Sequence, residues 1–184
     1  LGARCPSVLL VPMPAGQIVR IFNGRLLVAS GSMLVYSEPW AFALRNPSRN
    51  YIPFSSQITM LEVCDDGFYV AADNTYWIGN DITTSDLTTV RPFGAVPRTG
   101  ATVPNSTDVW WMSERGRMLG KNGGEVASLE EENVAVPRAQ SGASLFRETD
   151  GMKQAVTSLL GLETTQMAAG SFMSAEVIRK RTIL

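Results

Sequence analysis

Histidine is missing from all 184 residues. Its absence excludes Ser-His-Asp and Cys-His catalysis, histidine general bases and histidine-bearing zinc sites. Chemistry that needs only carboxylates or lysine survives. Cysteine is almost as scarce: Cys5 and Cys64 stand far apart with no second pair, so neither a CxxC redox motif nor a cysteine zinc site can form. A disulfide framework is not expected, which suits an intracellular assembly environment, and Cys64 reads as a buried free thiol. No apolar run approaches the roughly 18 to 20 residues of a membrane-spanning helix, so no membrane partner is expected. Val8-Leu9-Leu10-Val11 ends at Pro12 and reads as a buried strand rather than a signal peptide. The chain starts with Leu1 instead of Met, which reads as a processed product or a fragment of something longer.

Charge is sparse and balanced. Charged residues make up 18% of the chain and the net charge is −1, so nothing favours binding to a polyanion such as nucleic acid. Arg179-Lys180-Arg181 is the densest basic run and reads as a solvated strand end; Glu130-Glu131-Glu132-Asn133 reads as an acidic connector. No cofactor motif stands out. Gly116-Arg117-Met118-Leu119-Gly120-Lys121 lacks the spacer of a phosphate-binding loop and falls inside a predicted hairpin instead of opening a helix.

What the sequence does contain is a spacing. A strand-turn-strand pattern recurs about every 42 residues: Phe22 to Ser37, Val63 to Gly79, then Asn105 to Gly120. Ala29, Ala71 and Ser113 occupy matching places in the three copies. A fourth turn, Asp150-Gly151, keeps the spacing from Asp108, with Ala143–Arg147 and Lys153–Leu159 as its strands. Periods of this length mark repeat architectures, and strands joined by tight turns point to propeller blades. Asn23-Gly24 is the strongest of the turns, because both residue types tolerate positive φ. The expected fold is therefore all-β: β-propeller-like blades of antiparallel meanders over residues 1–163, an incomplete propeller, and a C-terminal extension over 164–184 ending in an extended strand. That strand, Phe172 to Leu184, is placed to close a ring or to reach a neighbouring subunit.

Candidate chemistry is thin. Asp65, Asp66, Asp73, Asp81 and Asp86 lack the spacing of a calcium loop and read as turn-forming residues. Glu38, Glu62, Asp73 and Glu114 are conceivable members of a glycosidase pair, which needs two carboxylates facing across a pocket. Trp110 and Trp111 are neighbours on a predicted strand, so their rings point to opposite faces and both read as core. The connection from Glu38 to Pro53 is unusually aromatic. Trp40, Phe42 and Tyr51 in it are candidate contact residues, together with Phe172, Val177, Ile178 and Arg179 near the C-terminus.

Several phrases carry a resemblance. Gly24-Arg25-Leu26-Leu27-Val28-Ala29-Ser30-Gly31 followed by Val35-Tyr36-Ser37-Glu38-Pro39, the run Gly67 to Trp77, Pro92-Phe93-Gly94-Ala95-Val96-Pro97, Glu131 to Val136 and Ser144 to Gly151 look like a virion structural protein of tailed bacteriophages. The resemblance covers most of residues 12–180. It implies a non-catalytic subunit of a tail or neck, assembled in the host cytoplasm. Its implied partners are copies of itself in a cyclic ring and other virion proteins. It carries over no catalytic residue. A carbohydrate-binding or receptor-recognising propeller is the alternative, and a carboxylate-dependent glycan-processing enzyme comes third.

Overall fold

A computed structural model describes residues 9–129, 139–149 and 152–161. Within them the regular structure is β-strand, apart from one 3-10 turn at Asn122–Gly124. The first strands are β1 (Val11–Pro12), β2 (Ile18–Phe22), β3 (Arg25–Ser30), β4 (Met33–Tyr36), β5 (Leu44–Arg45) and β6 (Tyr51–Pro53). A first sheet has the order β2-β3-β4-β6, while β1 and β5 pair with each other. Asn23 (φ 44°) and Gly24 (φ 68°) both adopt the left-handed region, the requirement of a two-residue turn that follows the twist of its strands. Phe22 then pairs with Arg25, and the register runs unbroken to Ile18 and Ala29.

A second sheet holds β7 (Met60–Val63), β8 (Gly67–Ala71), β9 (Thr75–Gly79) and β10 (Thr88–Arg91) in sequential order. A third holds β11 (Ala101–Thr102), β12 (Val109–Ser113), β13 (Gly116–Gly120) and β14 (Val126–Ser128) in the same way. A hairpin follows, β15 (Ala139–Thr149) with β16 (Met152–Gly161). Among the described residues all pairings are antiparallel, and no sheet closes on itself. The all-β expectation and the meanders hold. Two edge strands lie outside the strand-turn-strand units read from the sequence: β6 lies inside the expected aromatic connection, and β10 follows Gly79 and closes the second sheet. The residues 164–184, expected as an extension, lie outside the described residues.

The sheets pack face to face. Every residue of β8 is buried, because this strand is sandwiched between two neighbours. Phe68 and Val70 face Leu27, Ala29, Leu34 and Tyr36 of the first sheet, and Phe22 meets Phe68 edge-on at 5.4 Å. Tyr69 and Ala71 face Val109, Trp111 and Met118 of the third sheet. Gly120 permits this second contact: a Cβ there would lie 2.6 Å from the Tyr69 ring. The Tyr69 hydroxyl donates to the Lys121 carbonyl at 2.6 Å, with the Glu125 carbonyl 2.9 Å away. Burial pushes its pKa well above the usual phenol value, so it stays a donor.

Trp110 and Trp111 are both buried, on opposite faces, as expected. Their directions reveal a slip in the repeat. Ala29 and Ala71 face the next sheet in the series, whereas Ser113, on the Trp111 side of β12, faces the preceding one. Trp111 therefore turns back onto Tyr69, its counterpart 42 residues earlier, with ring centroids 5.4 Å apart. A one-residue change of phase exchanges the faces of a strand. Trp110 is left to face the hairpin, where Phe146 meets it edge-on at 5.6 Å.

The first strand of each unit lies on one side of the structure: β2 packs by β7, β7 by β11, and β11 by β15. Arg20 of β2 grips Glu62 of β7 with two hydrogen bonds, Nε to Oε2 at 3.0 Å and an η-nitrogen to Oε1 at 2.5 Å. Glu62 is 3% exposed, so losing Arg20 would leave a buried polar group without this partner.

Candidate functional site

The connection after β4 is built around Glu38. Its carboxylate accepts from Arg49 at 3.0 Å and from the Asn50 side-chain amide at 3.0 Å. Burial alone would raise this carboxyl, but the bonds from Arg49 and Asn50 outweigh it and hold the pKa below the usual value. Asn46 shapes the following turn by accepting from the Ser48 N–H. The segment is thus a fixed platform.

Trp40 stands on that platform, 81% exposed. Its φ of 58° is uncommon for a bulky residue and signals a backbone held by its surroundings. The holding contact is the Trp40 N–H, which donates to the Gly24 carbonyl at 2.7 Å. The indole lies over the Asn23-Gly24 turn, where a Cβ on Gly24 would fall 2.9 Å from the ring. Phe42 meets Trp40 edge-on at 6.5 Å and is itself exposed, so the two rings form one ledge. Tyr51, the third aromatic candidate, is exposed on β6 opposite Val35. It belongs to the outer face of the first sheet, the face turned away from the second. Phe172, Val177, Ile178 and Arg179 lie outside the described residues.

The candidate carboxylates divide. Glu38 and Glu62 are committed to Arg49 and Arg20. Asp73 and Glu114 come together at the turns after β8 and β12, where they line a cleft of about 510 Å³ with Phe93, Gly94, Ala95 and Pro97. Sequence spacing alone does not reveal this convergence, since it follows from stacking one sheet on the next. A hydrogen bond from Ser55 holds Asp73 below the usual carboxylate pKa, with further bonds from the Asn74 backbone and Tyr76. A glycosidase acid needs the opposite shift. Of the remaining aspartates, Asp81 accepts from the Thr83 N–H and hydroxyl in its own turn, and Asp66 accepts from the Gly123 N–H across to the third unit. No group of three or more Cys, Asp or Glu able to hold a metal occurs among the described residues.

A second, smaller groove of about 270 Å³ follows the first strands of the units. It is lined by Gln17, Arg20, Thr59, Glu62, Arg98 and Gly100 among others. Cys64 is a free, buried thiol. Burial, reinforced by Asp66, Asp108 and Asp65, pushes its pKa to about 12, which makes it a poor nucleophile. No helix among the described residues is long and apolar enough to cross a membrane.

No protein-family model matches the chain, and no curated protein matches it either. Its reading rests on its own residues.

Proposed function

We propose that the chain is a non-catalytic structural subunit of a tailed-phage virion, in its tail or neck, acting through protein–protein contacts. The observation that carries the non-catalytic, contact-making part is the Trp40–Phe42 ledge. A turn fixed by backbone and side-chain hydrogen bonds holds a largely exposed indole at a φ uncommon for a bulky residue. Exposed aromatics on a fixed platform are the residues that anchor interfaces. The virion setting comes from the resemblance in Gly24–Gly31, Val35–Pro39 and Gly67–Trp77. Propeller-like blades are the reading of the sheets that accounts for their order, since each unit begins beside the first strand of the preceding one and proceeds away from it.

Mass spectrometry of purified virions tests the reading. The chain should be present at a fixed ratio to the other tail proteins, and Trp40→Ala should lower its incorporation. Absence of the chain from virions overturns it. The exposed indole also supports a second reading, a sugar-stacking platform. Glycan-array binding that disappears in Trp40→Ala would favour that one.

A further inference from the structure

Two arginines share a small pocket between the second and third sheets. Its volume is about 270 Å³, and it is lined by Arg91, Pro92, Phe93, Arg115, Met118 and Ser128, with no carboxylate among them. The turn after β12 sorts the charges. Ser113 pairs with Gly116, so Glu114 and Arg115 are the two central residues of that turn. Glu114 lines the larger cleft with Asp73, whereas Arg115 lines this pocket, and Phe93 borders both. The floor is apolar, since Phe93 and Met118 are buried.

Each guanidinium is positioned by contacts that leave donors over. Arg91 reaches from β10 to the third sheet, where one η-nitrogen donates to the Val126 carbonyl; the other donates to the Val90 carbonyl at 3.3 Å. These bonds use only part of the N–H fork of an arginine. Arg115 lies over the Phe93 ring, its guanidinium carbon 5.1 Å from the centroid. Stacking engages the face of the guanidinium and leaves its N–H edge available. Among the described residues the Arg115 side chain makes no hydrogen bond or ion pair; only its backbone N–H donates, to the Ser113 hydroxyl at 3.1 Å. Two like charges on one pocket repel each other, and an anion bound there relieves the repulsion.

We propose that this pocket binds an oxyanion, a carboxylate or phosphate group. The N–H edges of Arg91 and Arg115 match the paired oxygens of such a group. The Ser128 hydroxyl supplies a further donor, and Phe93 and Met118 give the carbon body of a ligand an apolar floor. Small-molecule pockets begin at roughly 300 Å³, so this one fits a small anion or the end of a larger ligand. The site does not depend on the virion reading, and neither falls with the other.

Nuclear magnetic resonance of the arginine Nε–H groups in the isotope-labelled full chain tests this. Inorganic phosphate and succinate are titrated separately, with sodium chloride at matched ionic strength as the control. The signals of Arg91 and Arg115, assigned with Arg91→Lys and Arg115→Lys, should shift together and saturate. Saturation with phosphate alone marks a phosphate group, with succinate alone a carboxylate, and with both a shared oxyanion site. Arg115→Gln should weaken binding at least about tenfold. It should keep the wild-type circular dichroism and melting profile, because Arg115 is exposed. Should it disturb the fold, Arg115→Lys keeps the charge, loses the fork and should show a smaller loss of the same kind. Arg98→Gln, in the groove along the first strands, should leave binding unchanged. Shifts that merely follow ionic strength overturn the proposal, as does an equal loss in Arg98→Gln. So does binding that appears only when Glu130→Gln, Glu131→Gln and Glu132→Gln are combined, because the acidic run of the chain would then be the occupant.

Discussion

The second sheet and the β15–β16 hairpin are both antiparallel, and each packs one face on the third sheet. The second sheet is covered on both faces, and β8 within it has no exposed residue. The hairpin is covered on one, so Phe146 and Ala155 are packed while Leu145 and Val156, their immediate neighbours in the strands, are exposed. Residue chemistry follows this difference: β8 is Gly-Phe-Tyr-Val-Ala throughout, whereas the open face of the hairpin mixes Leu145, Val156 and Leu160 with Ser141, Arg147, Gln154 and Ser158. A strand enclosed on both faces is apolar on both, and a strand covered on one keeps polar positions on the other.

The largest test of this contrast is a pair of truncations. Trp111→Ala empties a fully buried site between the second and third sheets and should cost about 3–5 kcal/mol in chemical denaturation. Its indole N–H makes no hydrogen bond in the structure, so Trp111→Phe should cost less than that. Next in size is Tyr69→Phe, which removes the hydroxyl bridging to the third sheet and should lower stability by roughly 1–2 kcal/mol. If Tyr69→Phe proved neutral, the second and third sheets would not be joined as described.

The connection that carries the aromatic ledge should respond to acid. The folded-state pKa of Glu38 lies below its unfolded value. Its contribution is therefore complete above the unfolded carboxylate pKa and is lost as pH falls through the folded one. Denaturation midpoints measured down through that window should drop further for the wild type than for Glu38→Gln. The smallest effect belongs to the open face of the hairpin. Leu145→Thr should leave stability within about 0.5 kcal/mol of wild type, because the side chain is more than half exposed. A large loss there would erase the distinction between covered and open faces.

Much of the scaffold was legible in the sequence because its signals are local. Asn23-Gly24 specifies its turn through backbone preference, and the alternation in Val109–Ser113 places two tryptophans back to back. The edge strands were hidden for the opposite reason. Tyr51–Pro53 is three residues long and pairs with β4 across the intervening β5, while Thr88–Arg91 is polar and lacks alternation. The reversal of faces at β12 was hidden too, since a repeat spacing fixes position along a strand but not which side a residue faces. Trp40, Phe42 and Tyr51 could be chosen from composition, and all three are exposed. Their division into a ledge and a sheet face is a tertiary fact, as is the meeting of Asp73 and Glu114.

Hydrogen exchange addresses the contrast most directly. The amides of β8 and β12 should exchange slowest, since both faces of these strands are filled within the chain. Those of the β15–β16 hairpin, whose Leu145 and Val156 are exposed, should exchange faster. If the hairpin is as protected as β8, the difference between a strand covered on both faces and one covered on a single face does not govern local stability and the account is wrong.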